Sequence, residues 1–168
     1  MARFTLSSPS FRNNQPIPAK HSCEREDASP ELNWEGAPAE TKSFALIVDD
    51  PDAPGGSWVH WVAYDIQARG LPENVDKVDS TGVIYGDFPD ARKARSWYAK
   101  QGVNDFGRAG YGGPCPPRGH GVHHYHFHLY ALDAELNLAP HVTRQQLDAA
   151  MKGHVIAETE LVGTFQRE

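Results

Sequence analysis

Two loops, each followed by an apparent strand, carry side chains that could bind a small anion. His60 follows the loop 49–57, while His123 follows the loop 110–121, with Tyr125 one pleat further along the same strand face. Imidazole and phenol groups can donate hydrogen bonds to an anion, and none of these three is a strong nucleophile. If the two strands are near each other, the pattern predicts an anion-binding rim. The alternative is that both histidines are ordinary hydrogen-bonded strand residues.

The second loop predicts further donors. Gly110–Gly119 contains four glycines and three prolines in ten residues, so it cannot form regular helix or strand and is expected to offer backbone N–H groups to an anion. Asp50 would repel an anion directly. Bound to one histidine nitrogen, however, it would fix the imidazole tautomer and leave the other N–H directed at the ligand.

A second set of histidines indicates a metal site as an alternative. His124, His126 and His128 share the other face of the predicted strand Val122–Leu132 and could supply two or three zinc ligands. Residues that could complete such a site are His120, His141 and Cys115. The favoured interpretation is a solvated strand face with no metal, because no carboxylate or second histidine pair stands at ligand spacing elsewhere.

The two cysteines are interpreted as free thiols. A reactive thiolate needs a cation, a helix N-terminus or an imidazole nearby, and the prolines on both sides of Cys115 donate nothing. Cys115 is therefore expected to shape a pocket, with a nucleophilic role as the alternative. A disulfide to Cys23 is not expected, since two cysteines in a chain without a signal peptide are more often unpaired.

The composition excludes several classes of function. With 168 residues the chain is predicted to form one domain, 1–168. The formal net charge of −6 and the lack of any run of Lys or Arg argue against nucleic acid and anionic membrane surfaces. No apolar stretch reaches the roughly 18 residues of a membrane span, and the N-terminus has no apolar signal region, so a cytoplasmic location is expected.

The elements that would position these residues are mostly strands. Predicted strands are Ser43–Val48, apolar on both faces, Trp58–Ile66, Val122–Leu132, Glu160–Gln166 and a short Gly82–Tyr85. A helical turn is predicted within Asp90–Tyr98. After Pro140, Thr143 and Gln146 form a capping box for a helix whose apolar stripe is Leu147, Ala150 and Met151. The pattern predicts a mainly β fold, a sandwich with one or two short helices near the C-terminus.

Several blocks of the sequence resemble the phosphatidylethanolamine-binding proteins, especially the bacterial branch called Raf-kinase-inhibitor-like proteins. The blocks around the predicted site are DPDAP at 50–54, WVH at 58–60, GPCPPRG at 113–119 and HHY at 123–125. Further matching blocks are SPELNW at 29–34, GVNDFG at 102–107 and ELVGT at 160–164. The likeness covers nearly the whole chain.

The resemblance implies a β-sandwich of two antiparallel sheets with a small cavity that accepts a phosphate-like anion such as a phospholipid head group. The positions that match the family's pocket are Asp50, Ala53, Pro54, Trp58, His60, Gly113, Pro116, Pro117, His123 and Tyr125. Cys115 stands in the same loop, where eukaryotic members have glycine. No cofactor is expected. Because the C-terminal helix of the eukaryotic proteins has no counterpart here, a more open mouth or one covered by a partner subunit is expected.

The leading functional hypothesis is a non-enzymatic binding protein for a small phosphorylated or other anionic ligand that modulates a partner protein. A kinase partner is implied by the family's name alone, and a homodimer only weakly by bacterial relatives. One rival is an enzyme, either a hydrolase using Cys115 or a metal-dependent enzyme using the strand with His124, His126 and His128. Another is a protein-binding regulator whose cavity is vestigial.

Overall fold

The computed structural model describes residues 3–77, 83–84 and 97–168, and strands dominate this part of the chain. The strands are β1 (Thr5–Ser7), β2 (Gln15–Pro16), β3 (Leu32–Glu35), β4 (Ser43–Asp50), β5 (Trp58–Ile66), β6 (Gly70–Leu71), β7 (Val83–Ile84), β8 (Trp97–Tyr98), β9 (Lys100–Gln101), β10 (His123–Leu132) and β11 (Val155–Phe165). A 3₁₀ turn at Ala19–His21 and the helix α1 (Arg144–Met151) complete the described elements.

The strands form a large sheet packed on a smaller one. The large sheet has the order β2-β11-β10-β4-β5-β9, and the smaller has the order β1-β3-β6. Neighbouring strands are antiparallel except that β2 runs parallel to β11. β7 and β8 form a separate antiparallel pair. The predicted mainly β sandwich is confirmed.

Strand β4 lies at the centre of the large sheet and is buried on both faces, as its apolar pattern predicts. Leu46 and Val48 belong to the same buried cluster as Trp34 of the smaller sheet. On the opposite face, Ala45 and Ile47 share a cluster with the helix α1. The large sheet is therefore covered by the smaller sheet on one side and by the helix on the other.

The sequence predicts the positions of the long strands more accurately than their ends. β5 has the predicted bounds, and β10 begins one residue later than expected. β4 continues past Val48 because Asp49 and Asp50 still pair, with His126 and Trp58 respectively. β11 begins five residues before the predicted Glu160 and ends one residue before Gln166, since it pairs with β10 along the length of that strand.

The predicted capping box of α1 is present. Thr143 Oγ1 accepts a hydrogen bond from Gln146 N, and Gln146 Oε1 accepts one from Thr143 N. Leu147 and Met151 are buried, while Ala150 is only half-buried. Within the described residues, no helix is long and apolar enough to cross a membrane.

The predicted short strand at 82–85 corresponds to β7. The predicted helical turn at 90–98 falls largely outside the described residues, and its last two positions belong to β8. β8 pairs with β7 in an antiparallel ladder.

The expectation that both cysteines are free is wrong, because Cys23 and Cys115 form a disulfide. The segment after the 3₁₀ turn lies against the Gly/Pro loop, where Cys23 N donates to the Pro114 carbonyl at 3.1 Å. The Tyr111 hydroxyl also donates to the His21 carbonyl at 2.7 Å. The disulfide joins residues 92 positions apart in the sequence, a distance at which local pattern carries no information about pairing.

Candidate functional site

A cavity of about 200 Å³ opens where the loop after β4 meets the loop before β10. Its lining residues are Asp50, Ala53, Pro54, Trp58, His60, Phe106, Cys115, Pro116, Pro117, His123 and Tyr125. Ten of the eleven residues that the sequence proposes for ligand binding are therefore brought together, and Gly113 is outside the lining. The sheet order explains the convergence, since β5 with His60 and β10 with His123 flank the end of β4, where Asp50 lies.

Asp50 connects the two loops by hydrogen bonds. Its side chain is almost fully buried, and its Oδ2 accepts a hydrogen bond from His123 Nδ1 at 2.6 Å. Its Oδ1 accepts one from the backbone N–H of Asp52 at 2.8 Å. The predicted pairing of Asp50 with one histidine nitrogen is therefore present. It places the proton of a neutral His123 ring on Nδ1, because a carboxylate can only accept.

The second nitrogen of His123 contacts another imidazole. His123 Nε2 lies 2.6 Å from His120 Nδ1, and a neutral His123 must accept at Nε2, so His120 donates. The glycines on either side, Gly119 and Gly121, have positive φ values of 73° and 91°, which the absence of a side chain permits. The predicted N–H of His123 toward a ligand is thus available only if the ring is protonated and His120 moves away.

His60 is held by the Gly/Pro loop. Its Nδ1 lies 2.6 Å from the Gly112 carbonyl oxygen, which only accepts, so the neutral ring carries its proton on Nδ1 and its Nε2 is an acceptor. Burial lowers the pKa of His60, and the hydrogen bond to Gly112 opposes that shift without cancelling it. The expected donation from His60 to an anion therefore requires uptake of a proton.

Tyr125 has a hydroxyl group without a hydrogen-bond partner among the described residues. Among the described residues, its Oη is the one buried side-chain nitrogen or oxygen with no hydrogen bond. Burial, with the charges of Asp50 and Asp52, raises the pKa of Tyr125, so the group is a neutral O–H donor. An unsatisfied buried hydroxyl costs about 1–3 kcal/mol. The Tyr125 ring stands edge-on to His60, with 5.1 Å between the ring centroids.

Aromatic rings form the mouth of the cavity. Trp58 and Phe106 are 38% and 37% exposed and contact each other edge to face, with ring centroids 5.5 Å apart. The Phe106 ring also lies 5.4 Å from that of His60. The sequence analysis missed Phe106 as a site residue, although the matching block GVNDFG at 102–107 contains it. Its loop is fixed by Asp105, whose Oδ2 accepts from the backbone N–H of Val59 at 2.7 Å.

The expected cradle of free backbone amides around Gly113 is not present. Gly113 N donates to Asp27 Oδ1 at 2.8 Å, and Gly112 N donates to the His60 carbonyl at 2.9 Å. A Cβ at position 113 would collide with the His21 carbonyl oxygen. Gly113 therefore permits close approach of two segments. Asp27 lies 86 residues away from it in the sequence, and no spacing pattern indicates the contact.

Cys115 lines the cavity as half of the disulfide with Cys23. In this form it has no thiol, so it can neither attack a substrate nor ligate a metal. The alternative of a hydrolase with Cys115 as nucleophile is therefore wrong for the disulfide-bonded protein.

The other three histidines of β10 lie on the opposite face of the strand, as the alternation predicts. His124 Nδ1 lies 2.7 Å from Asp52 Oδ2, whereas His126 and His128 both contact Glu160. The expectation that no carboxylate stands at ligand spacing is wrong, because β11 places Glu160 directly opposite His128. His120 contacts His123 instead.

Comparison with known proteins identifies relatives along nearly the whole chain. Residues 7–166 match the sequence profile of the phosphatidylethanolamine-binding protein family. A UPF0098 protein of Pyrococcus horikoshii is 50% identical over 159 residues, which cover 94% of this chain and 74% of the relative.

Two crystal structures have a similar fold. A putative phosphatidylethanolamine-binding protein homologue from Chlamydia trachomatis superimposes with a TM-score of 0.82 at 37% identity, covering 98% of both chains. YbcL from Escherichia coli, described as a new member of the mammalian family, also gives a TM-score of 0.82, at 30% identity. It covers 99% of this chain and 100% of YbcL.

Proposed function

Because the chain belongs to the phosphatidylethanolamine-binding protein family, we propose that its cavity binds a small anionic group, such as the phosphate of a phospholipid head group or a free phosphate. The proposed activity is binding without chemical conversion. The cavity volume of about 200 Å³ is below the roughly 300–1,000 Å³ of typical small-molecule sites. It therefore has room for a head group, while the remainder of a larger ligand would extend past the mouth.

The observation that carries this proposal is the unpartnered hydroxyl of Tyr125. The group is buried in the cavity wall, and the raised pKa keeps it a donor. A ligand oxygen that accepts this hydrogen bond would remove the cost of an unsatisfied polar group. Hydrogen bonds to a charged partner stabilise by about 1.5–3 kcal/mol, which makes an anionic oxygen the best match.

The two histidines would complete the site as donors from Nε2. A neutral ring at either position directs its Nδ1 proton to Gly112 or to Asp50. An anion in the cavity would favour protonation of these rings, because a positive charge beside it is stabilising. Each ring would then gain an N–H on Nε2. For His123 the contact with His120 would be exchanged for the ligand.

The direct test is calorimetric titration of the protein with inorganic phosphate and with phosphoethanolamine. Tyr125→Phe removes one oxygen atom and is expected to weaken binding at least about tenfold, since one hydrogen bond to a charged group is lost. The matched control is Tyr130→Phe on the opposite face of the same strand, which should bind like the wild type. Equal affinity of Tyr125→Phe and wild type would refute the site, and thermal unfolding checks that both variants fold.

The proton uptake predicts a pH dependence with a definite sign. Burial lowers the pKa of His60, so the free ring is neutral at pH 8 and an anion must draw a proton onto it. Affinity should therefore rise from pH 8 to pH 6. Sulfate is the cleaner probe, because its own charge is constant over this range, whereas phosphate titrates. A fall in sulfate affinity toward pH 6 would contradict the assigned role of His60.

The disulfide bears on the cellular compartment in which the protein is found. The sequence predicts a cytoplasmic location, but most cytoplasms keep thiols reduced, with intracellular proteins of hyperthermophiles as the known exception. The Cys23–Cys115 bond thus favours an oxidising compartment or a hyperthermophilic cell. A kinase or other protein partner, and a homodimer, stay predictions drawn from the family.

A further inference from the structure

The outer face of β10 and β11 brings together two imidazoles and a carboxylate that the anion site does not use. His126 and His128 follow each other on this face, and Glu160 stands across from His128 in the antiparallel register. One nitrogen or oxygen from each of the three residues lies within 4.8 Å of the other two. The side chains of His126 and His128 are 27% and 26% exposed, and that of Glu160 is 44% exposed, so an ion can reach them from solvent.

The separations of the ligand atoms suit a transition-metal ion. Glu160 Oε2 lies 3.4 Å from His126 Nδ1 and 3.2 Å from His128 Nδ1. Ligands that bind a tetrahedral ion at about 2.0–2.1 Å are separated from each other by about 3.3 Å. The carboxylate oxygen therefore stands at the right distance from both rings to share one ion with them.

In the neutral ring of His128, the nitrogen nearest Glu160 is free to bind a metal ion. The other nitrogen, Nε2, lies 3.2 Å from Asp49 Oδ1, so Asp49 accepts the single ring proton and Nδ1 retains its lone pair. Without a cation, the lone pairs of Nδ1 and of Glu160 Oε2 would face each other. A carboxylate that accepts from the remote nitrogen of a histidine is the usual support of a metal ligand, because it fixes the tautomer and the ring orientation.

Asp49 is itself held in place. Arg144 Nη1, from the first turn of α1, donates to Asp49 Oδ2 at 2.7 Å, and Asp49 is buried. The chain of contacts from Arg144 through Asp49 to His128 joins the helix, the central strand β4 and β10. The fold therefore fixes the orientation of the His128 ring. An ordinary exposed ion pair would not need such support.

We propose that His126, His128 and Glu160 form a binding site for a divalent transition-metal ion, with Zn²⁺ as the best match. Two imidazoles and one carboxylate are a known zinc ligand set, and three protein ligands leave a coordination position open. A depression of about 240 Å³ lined by His128, Tyr130, Glu158, Thr159 and Glu160 lies next to the ligands. It gives water or another small donor access to the open position. The proposal does not depend on the anion cavity, which lies on the other face of β10.

The test is a titration of chelator-treated protein with Zn²⁺ at pH 8, where imidazole ligands are deprotonated. The wild type should bind one ion per chain. Binding should be lost in His128→Ala and in Glu160→Gln. Asp49→Asn, which keeps the shape of the supporting side chain, should weaken binding by about 10–100-fold. The absorption spectrum of the Co²⁺-loaded protein should change in the same variants.

The matched control is His124→Ala, which removes a neighbouring histidine of the same face that pairs with Asp52 and should retain Zn²⁺ affinity. His120→Ala tests the competing location, because His120 and His123 form a second imidazole pair at the cavity. No stoichiometric binding by the wild type, unchanged affinity in both His128→Ala and Glu160→Gln, or loss of binding in His120→Ala would each overturn the assignment. Thermal unfolding of each variant verifies that it is folded.

Discussion

The two faces of strand β10 carry the same residue type in opposite environments. On the inner face His123 and Tyr125 are about 1% exposed and form part of the cavity wall. On the outer face the side chains of His124, His126 and His128 are 48%, 27% and 26% exposed. Each of these histidines contacts a carboxylate, but the inner pair is buried and the outer pairs are partly exposed.

The difference follows from the cost of removing a polar group from water. A buried imidazole must have its hydrogen bonds satisfied within the protein, so His123 has one fixed tautomer, set by Asp50. The outer pairs remain in contact with solvent, where such ion pairs stabilise by at most about 1 kcal/mol. They can therefore be exchanged for a metal ion at little cost. In the proposed roles, burial suits the inner face to selective binding of one small group, whereas exposure suits the outer face to reversible binding of a metal ion.

The largest expected effect is a difference in stability between two variants. In each variant one of two adjacent histidines, one from each face, is replaced by alanine. His123→Ala leaves the buried carboxylate of Asp50 without its partner, and breaking a buried pair costs about 3–5 kcal/mol. His124→Ala breaks only an exposed pair with Asp52 and should change the free energy of unfolding by less than about 0.5 kcal/mol. Urea denaturation of the two variants measures both values. Similar destabilisation by both would show that burial does not distinguish the faces.

A smaller effect is expected from the disulfide, which supports the inner face alone. The Cys23→Ser/Cys115→Ser variant should lose about 2–4 kcal/mol of unfolding free energy, because the bridge constrains a long loop of the unfolded chain. Cys115 lines the cavity, so phosphate affinity should also fall. The proposed metal ligands lie on the outer face of β10 and β11, opposite the cavity that Cys115 lines, so Zn²⁺ affinity should be retained. Identical denaturation midpoints for the variant and the oxidised wild type would contradict the stabilising role of the bridge.

The smallest effect concerns His120, which covers the second nitrogen of His123. His120→Ala removes a hydrogen bond whose net contribution is about 1 kcal/mol, and ligand would no longer have to displace it. Phosphate should then bind about fivefold more tightly, as measured by calorimetry at constant pH. Zn²⁺ affinity should not change. Weaker phosphate binding in this variant would instead make His120 part of the anion site.

The main features of the fold and the membership of the cavity could be predicted from the sequence. The alternation in Val122–Leu132 is strict enough to assign His123 and Tyr125 to the buried face, and the two-sided apolar pattern of Ser43–Val48 identifies the central strand. Both are local periodicities of a pleated strand. The motif blocks added Ala53, Pro54, Trp58, Pro116 and Pro117, which also line the cavity.

The pairing of Asp50 with a histidine was predicted, but most other pairings at the two sites could not be, because their members are distant in the sequence. Asp27 accepts a hydrogen bond from the backbone N–H of Gly113. Glu160 lies beside His128 because of the register in which β11 pairs with β10. The Cys23–Cys115 bond also depends on the 3₁₀ turn lying against the Gly/Pro loop.

The sequence by itself determined which residues share a strand face and that a Gly/Pro loop precedes the second histidine, because these properties depend on backbone period and local sterics. Tertiary structure alone decided which donors remain available. A donor or acceptor is occupied when a suitable group lies within about 3 Å of it. Which group lies there depends on contacts between segments that are distant in the sequence. For this reason the amides of Gly112 and Gly113 are occupied, His60 Nδ1 is bound to a carbonyl oxygen, and the hydroxyl of Tyr125 has no partner among the described residues.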